Sequence, residues 1–443
     1  MNALEIVQAI VERDPQRPFS SRVTYGQLFC LARKLLQNME GLDGPVCLAS
    51  SDRVLCAAAC LASLAGGREL VLPHGFSERV LAETRDAVPY VAILGPNAEV
   101  TRDVRVLEIP GQAAPADSCT LEPVRKDDEP MVHLFTGGST GKPRVWTKTV
   151  ANIMGEAWYM SRRFSFEPDD VVLATVPPVH IYGLLFSVLA PLLAGAQVVN
   201  KTVFMPAEIV QVLARQRVSV FVSGPAHYRA LRQGKLEAPA LRLATSSGGM
   251  LDQADAERFF NDSGVGVVDI FGSTETGGIA TRPRSQGGES WIALDVVNWK
   301  ILGDRLYVNS PFLSPKLHLD EDAFFLTSDR VHAAGAGKFF LLGRADGVVK
   351  VAGKRVDLLE VEQKIRSLDF VWDAHVLALD SKVRGSEIVA LVVMDCTTDD
   401  LRARLENILE SQAMPRRMLK VRQIPRTETG KPHREEILKI IHT

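Results

Sequence analysis

The 443-residue chain lacks a dominant charge: 51 basic side chains stand against 53 acidic ones, a formal net charge of -2. That balance removes the electrostatic case for nucleic acid or an anionic membrane surface and leaves a small molecule as the expected ligand. Cysteine is scarce, with six residues (Cys30, Cys47, Cys56, Cys60, Cys119, Cys396) scattered along the chain. No CxxC pair suits zinc or redox work, so reduced core thiols are expected. The nine histidines include no HExxH, and no metal cage is encoded by spacing. Long charge-free apolar runs are nearly absent as well. Ile181 to Val199 is free of charge for 19 residues, nominally enough to span a bilayer. Gly183, Pro191, Gly195 and Gln197 interrupt it, so a buried helix, a turn and the strand Ala196 to Val199 are expected in place of membrane insertion. The opening MNALEIVQAIVERD has no basic start and no cleavage site. It argues against a signal peptide and for a cytoplasmic protein.

What is present is ordinary for a globular protein, 46% hydrophobic and 23% charged. The length calls for two or more domains. Up to about residue 340, short apolar runs (Pro45 to Ala49, Leu70 to Leu72, Tyr90 to Leu94, Val171 to Val176, Val218 to Val222) alternate with longer helical patterns. This alternation predicts an α/β fold with largely parallel sheets. Between Ile292 and Phe340 the helical patterns fade into short strand-like pieces, a small antiparallel or barrel-like region. The last 95 or so residues read as a separate α+β unit, with a helix at Leu359 to Leu368 and strands at Val371 to Leu379 and Glu387 to Met394. A further helix carries Leu401, Leu405, Ile408 and Leu409 on one face. The expected domains are 1–345 and 346–443.

The most informative stretch is LFTGGSTGKPRVWTK, residues 134 to 148. An apolar run feeds Thr136, Gly137, Gly138, Ser139, Thr140 and Gly141, then Lys142, Pro143 and Arg144. Glycines let successive N–H groups point at one anion, and the hydroxyls add donors, so the stretch reads as a phosphate-binding loop. A Walker A loop needs Gly where Thr136 stands and Ser or Thr where Pro143 stands. Gly137 to Gly141 fits GxSxG, which would make Ser139 a serine-hydrolase nucleophile, but that elbow must launch a helix. Pro143, Val145, Trp146 and Thr147 favour a strand instead.

The loop resembles the signature of the acyl-adenylate-forming (AMP-binding) superfamily of acyl- and aryl-CoA synthetases, adenylation domains and luciferases, and four further segments occur in that family's order. VVDIFGSTETGGIATR (267 to 282) is similar to its aromatic-Gly-x-Thr-Glu element. The resemblance implies that Phe271 stacks near adenine, Thr274 contacts the α-phosphate and Glu275 holds Mg²⁺. FFLTSDRV (324 to 331) is similar to the Thr-Gly-Asp element, with Asp329 on the ribose hydroxyls and Ser328 replacing the usual Gly. LLGRADGVVKVAGKRVDLLEVEQKI (341 to 365) resembles the linker into a mobile C-terminal lid domain. There Arg344 is implied on the ribose, Asp346 as hinge and Gly353 beside the thiol's pantetheine arm, with Lys350, Arg355 and Glu360 also at family positions. IPRTETGKPHREEI (424 to 437) is similar to the terminal element, which makes Lys431 the catalytic lysine. PPVHIYGLLF (177 to 186) matches the substrate-side element, implying an acyl pocket at His180, Tyr182 and Gly183, walled by Ser223, Gly224 and the run Ser247, Gly248, Gly249. The His-Ile-Tyr order is similar to hydroxycinnamate CoA ligases. Arg144 and Val145 depart from the usual Lys and Gly of the phosphate loop.

The resemblance implies an acid-thiol ligase. ATP and a carboxylic acid, aromatic or medium-chain, give acyl-AMP and pyrophosphate, and the acyl group passes to coenzyme A or to the phosphopantetheine of an acyl carrier protein. A stand-alone enzyme loading only a carrier protein is the nearest alternative. A serine hydrolase using Ser139, a non-catalytic adenylate sensor and an oxygen-dependent luciferase-like oxidase are rivals from other classes.

Overall fold

The computed structural model describes residues 2–96, 104–109, 120–122, 124–136, 144–233, 236–284, 288–351, 354–381, 385–427 and 430–442. The chain divides into two compact units, residues 1–298 with 309–318 and residues 299–308 with 319–443.

In the first unit, short apolar runs form the centres of two sheets. One sheet contains β1 (Val46–Leu48), β2 (Leu70–Leu72), β3 (Ala92–Leu94), β4 (Arg105–Leu107), β5 (Pro130–Thr136) and β6 (Arg144–Thr149), in the order β4-β3-β1-β2-β5-β6. All its pairings are parallel except β5 with β6. Helices α1 (Ala3–Arg13), α2 (Tyr25–Asn38), α3 (Arg53–Leu64) and α4 (Glu78–Ala87) precede or join its strands. Every residue of β1, β2 and β3 is buried, which is why these strands read as continuous apolar runs.

The second set runs β7 (Val171–Ala174), β8 (Gln197–Val198), β9 (Val220–Ser223), β10 (Leu243–Ser246), β11 (Val267–Ser273), β12 (Gly277–Pro283) and β13 (Trp291–Ala293), in the order β13-β12-β11-β10-β9-β7-β8. From β8 to β11 the pairing is parallel, and β11-β12-β13 is antiparallel. Helices α5 (Val150–Arg163), α6 (Ile181–Leu184), α7 (Ala190–Ala194), α8 (Pro206–Arg215), α9 (Pro225–Ala230) and α10 (Gln253–Ser263) flank these strands. Leu173, Phe221, Ala244 and Val267 from the strands share one core with Ile209, Leu213 and Phe259 from α8 and α10.

The charge-free run resolves as expected: α6 passes through a π-helical turn, Leu185–Leu189, into α7. It ends at Gly195 with φ +77°, a left-handed C-cap suited to glycine. The strand that follows is shorter than read, Gln197–Val198. Among the described residues no helix is long and apolar enough to cross a membrane. The cysteine reading needs one correction. Cys47, Cys56, Cys60 and Cys396 are free, but Cys30 is disulfide-bonded. Cys119 lies outside the described residues.

In the second unit, β14 (Asn298–Leu302), β15 (Arg305–Asn309), β16 (Phe325–Ala333) and β17 (Lys338–Arg344) neighbour one another in that order, with β15-β16-β17 antiparallel. The hairpin of β18 (Val348–Val351) and β19 (Lys354–Asp357) leads into α11 (Leu358–Arg366). The strands β20 (Val371–Ser381), β21 (Gly385–Met394) and β22 (Arg417–Lys420) form a sheet with α12 (Thr398–Leu405) and α13 (Arg434–His442). Period-two alternation buries both faces of that sheet. Ala374, Val376, Ala390 and Val392 pack with Ile365 and Leu401, whereas Leu377, Val389 and Leu391 pack with Ile437 and Ile441. Helix α12 ends at Leu405, and Ile408, expected on its apolar face, is 39% exposed.

Candidate active site

In the first unit the motif residues gather where the topology directs a ligand. In an open α/β sheet, ligands bind outside the carboxyl ends of the parallel strands. Thr175 and the loop to His180 follow β7, Ser223 ends β9, Ser247 to Gly249 follow β10, and Thr274 and Glu275 follow β11. Four neighbouring parallel strands therefore deliver four of the sequence segments to one rim.

His180 precedes α6 as its N-cap residue, and Leu184 N–H donates to its carbonyl at 2.7 Å. The Tyr182 hydroxyl and the Thr245 hydroxyl are 2.7 Å apart, with the ring 5.2 Å from that of Phe186. Burial raises the Tyr182 pKa well above its ordinary value. That hydroxyl is thus satisfied within the protein. Gly183 is buried, and a Cβ there would stand 2.0 Å from the Pro177 carbonyl oxygen. Its glycine is required for packing α6 against the Pro177 backbone. Ser223 is fully buried and its hydroxyl lies 2.8 Å from that of Thr175, which is 3.2 Å from His227 Nδ1. Burial pushes the His227 pKa down to about 4. Gly248 has φ +86°, and a Cβ on Gly249 would meet Pro225 Cγ at 3.6 Å.

The turn between β11 and β12 carries Thr274 and Glu275, both half-buried. It is tied internally, with Ser273 N–H donating to Thr276 Oγ1 at 3.1 Å and Thr276 N–H to Ser273 Oγ at 3.3 Å. Phe271 packs on Trp291 with ring centroids 5.3 Å apart. Among the described residues no group of three or more His, Cys, Asp or Glu could hold a metal ion. A lone carboxylate such as Glu275 fits Mg²⁺, which keeps waters and substrate phosphate oxygens and does not need an all-protein cage.

Two buried charges beneath this turn were absent from the sequence reading. Lys148, at the end of β6, is 0% exposed, and its Nζ donates to the Phe312 carbonyl at 2.7 Å and to the Glu275 carbonyl at 3.3 Å. Glu156 on α5 is 1% exposed, and its Oε1 accepts from Gly278 N–H at 2.7 Å. Burial lowers the lysine pKa and raises that of the glutamate. Glu156 shares a face of α5 with Ile153, Ala157 and Met160, all buried, so a carboxylate at a core spacing was the available signal. A second buried pair, Arg282 with Asp269 at 2.9 Å, lies across β11 and β12, and Arg282 stacks on Trp291.

Of the segment read from the sequence as a phosphate-binding loop, only the edges lie among the described residues. Thr136 ends β5, and its hydroxyl accepts from Trp146 Nε1 at 3.0 Å. The segment from Arg144 is a strand paired antiparallel with β5, which is the geometry expected here and not the helix that a hydrolase elbow requires. Gly137, Gly138, Ser139, Thr140 and Gly141 lie outside the described residues, as does Gly353.

In the second unit, Asp329 on β16 and Arg344 on β17 are directly opposed. Asp346 lies in the 3₁₀ turn Ala345–Gly347. Lys431 is exposed on a bend: Thr427 N–H donates to its carbonyl at 2.7 Å, Gly430 has φ +77°, and Arg426 bridges to Pro432. The Arg426 guanidinium anchors the bend through the Gly430 carbonyl at 2.8 Å and Asp373 at 2.7 Å.

Comparison with known proteins shows the family. Residues 12–308 match the family model described as AMP-binding enzyme, and residues 360–431 match that of the AMP-binding enzyme C-terminal domain. The chain is 27% identical over 358 residues to the human mitochondrial acyl-coenzyme A synthetase ACSM3, an alignment covering 71% of this chain and 61% of that enzyme. It thus spans about three-fifths of that relative's length. It is 26% identical to the sulfoacetate–CoA ligase of Cupriavidus necator, over 74% of this chain and 71% of the ligase. The fold is similar to ATP-bound MatB from Rhodopseudomonas palustris, with TM-score 0.84 at 20% identity and 99% of each chain covered. It is also similar to the o-succinylbenzoate CoA synthetase of Bacillus subtilis in complex with its acyl-adenylate, with TM-score 0.82 at 18% identity over 98% of this chain and 97% of the other.

Proposed function

The chain belongs to the AMP-binding enzyme family, and on that premise we propose that it is an acid-thiol ligase that activates a carboxylic acid with ATP as acyl-AMP and passes the acyl group to coenzyme A. The observation that carries this reading is the rim of the parallel strands. Thr274, Glu275, Ser223 and the Gly248–Gly249 turn follow adjacent carboxyl ends, where an α/β sheet presents loops to a ligand.

The chemical problem is repulsion between a carboxylate and a triphosphate. Donors fixed where charge develops answer it without reorganisation. In our reading Thr274 binds the α-phosphate, the amides of Gly137 to Gly141 cradle the phosphates with Thr136 at the loop's edge, and Phe271 stacks on adenine. Asp329 and Arg344 hold the ribose, and Lys431 bridges the attacking carboxylate and the α-phosphate as a compact point charge. Glu275 would hold Mg²⁺, which when bound would supply charge neutralisation on the pyrophosphate. The carboxylate oxygen attacks the α-phosphorus in line, the bond to the β-phosphate breaks, and the thiol then displaces AMP. We take residues 346–443 as the lid domain, Asp346 as its hinge, and Gly353 as the residue that lets the pantetheine arm approach.

For the acid, we propose an aromatic or medium-chain acyl group with one carboxylate. His180, Tyr182 and Gly183 border its pocket, and Thr175, Ser223, Tyr182 and Thr245 add neutral hydroxyls that bond to one another. These hydroxyls are neutral and favour an uncharged acyl chain over one that carries a second carboxylate. The decisive experiment is pyrophosphate exchange over a panel of carboxylic acids, followed by addition of coenzyme A or carrier proteins. Acid-dependent exchange with thioester formation on coenzyme A is the expected result. Exchange with transfer only to a carrier protein selects the carrier-loading enzyme, and no exchange with any acid rejects the ligase.

A further inference from the structure

The two buried charges under the β11–β12 turn bond its backbone, not each other's side chains. Glu275 presents its carbonyl to Lys148 Nζ at 3.3 Å and to Ser314 N–H at 2.8 Å. The same ammonium takes the Phe312 carbonyl at 2.7 Å, so Lys148 joins the turn to the segment that also supplies Ser314. On the other side of the turn, Glu156 Oε1 holds Gly278 N–H at 2.7 Å, and its Oε2 has no hydrogen-bond partner. Gly277, between the two grips, has φ +69°, and a Cβ there would stand 2.6 Å from Phe312 Cβ and 2.7 Å from Glu156 Oε2. Both charged residues are rigidly mounted. Thr149, immediately after Lys148, caps α5 through a reciprocal capping box with Asn152, and Glu156 follows on the buried face of that helix.

We propose that Lys148 and Glu156 are positioning residues for Glu275: by gripping the backbone at residues 275 and 278 from below, they fix the direction in which the Glu275 carboxylate meets the divalent cation. The inference rests on the reading of Glu275 as the metal-binding carboxylate. Burying an ammonium and a carboxylate is costly even when they compensate each other, and well-packed apolar residues would serve stability as well or better. What the charges provide, and apolar side chains would not, is a directional hold on the carbonyl of Glu275 and the amide of Gly278. Partners that orient a metal ligand typically govern about 10- to 100-fold in metal affinity.

The test uses α,β-methylene ATP, which cannot be split at the bond the reaction breaks. Its affinity for the full chain is measured by calorimetry with Mn²⁺ present and with the metal chelated by EDTA, and the ratio of the two affinities is the readout. Glu275→Gln serves as reference, beside Lys148→Met, Glu156→Gln and the double variant K148M/E156Q. We expect Glu275→Gln to abolish most of the metal-dependent gain, and the double variant to lose about 10- to 100-fold of it. Lys148→Met alone leaves an uncompensated buried carboxylate and lowers the melting temperature, whereas the double variant recovers stability. Recovered stability with the gain still lost is the signature of positioning. If the gain returns together with stability in the double variant, the pair is purely structural and the inference is overturned. If Glu275→Gln leaves the gain untouched, the metal role of Glu275 fails and the inference falls with it.

Discussion

Asp329 and Arg344 occupy directly opposed positions on the antiparallel strands β16 and β17. Two sequence segments fifteen residues apart are thereby brought to one spot on one ladder. Asp329 N–H is held by Thr327 Oγ1 at 3.1 Å, and Ser328, where the family pattern has Gly, is half-buried. A hydrogen bond to a charged group contributes about 1.5–3 kcal/mol. Asp329→Ala is therefore expected to raise the KM for ATP by about 10- to 150-fold in pyrophosphate exchange, with an unchanged melting temperature. A drop in melting temperature with KM preserved would assign the residue to the strand pair alone.

Lys431 stands exposed on a bend whose backbone is fixed by Arg426, Thr427 and Gly430, so truncating its side chain leaves the bend intact. Lys431→Ala should lower the rate of adenylate formation by about 10²- to 10³-fold, the effect of removing one transition-state donor. Thioester formation from supplied acyl-AMP should fall far less. Equal losses in the two half-reactions would reject the assigned role.

The central parallel strands β1, β2 and β3 were readable in the sequence because every residue in them is buried and they so carry unbroken apolar runs, whereas the parallel strand β4, exposed at Arg105 and Val106, was not. Leu70–Leu72 appears in the structure with the expected bounds, and Val171–Ala174 falls inside its expected run. The motif segments read from the sequence fall at or just after strand ends, Ser223 at the end of β9 and Thr274 and Glu275 after β11. Tertiary pairings could not be read. Nothing near Tyr182 in the chain reveals that Thr245 satisfies its hydroxyl. Lys148 looks like an ordinary polar residue of a strand until the turn after β11 is laid over it, and Glu156 shows in the sequence only its core spacing on α5, not its grip on Gly278. Cys30 looked like its free neighbours for the same reason, since disulfide pairing is fixed by proximity in space and not by spacing in sequence.

Gly183 offers a test that separates packing from the proposed role in acid binding. Its absent Cβ would stand 2.0 Å from the Pro177 carbonyl oxygen and 2.8 Å from the Pro177 carbonyl carbon, and backbone cannot swing aside as a flexible side chain can. Gly183→Ala is expected to destabilise the chain by about 1–3 kcal/mol, the usual cost of overpacking, as read by urea unfolding. Retained stability together with a changed acid preference would place the methyl in an open pocket.

His227 supplies a pH signature of its burial beside Thr175. Its imidazole, set against the Thr175 hydroxyl at 3.2 Å, has a pKa lowered by burial from the usual 6.5 to about 4. Above pH 6.5 the ring is neutral in both folded and unfolded chains, and the histidine has no effect on the pH dependence. Between 6.5 and 4 the unfolded chain binds a proton that the folded chain refuses, so stability falls as pH falls, with a limiting slope of about 1.4 kcal/mol per pH unit. Below 4 both states are protonated and the slope from this group vanishes. Replacing the ring by His227→Gln removes this linkage. Whatever the variant loses in packing at pH 8, its stability relative to the native chain should improve by at most about 2 kcal/mol on going to pH 5. Urea unfolding of both chains at the two pH values measures this double difference. A value of zero would show that the imidazole titrates freely, and that the lining of Thr175, Ser223 and His227 is open to water.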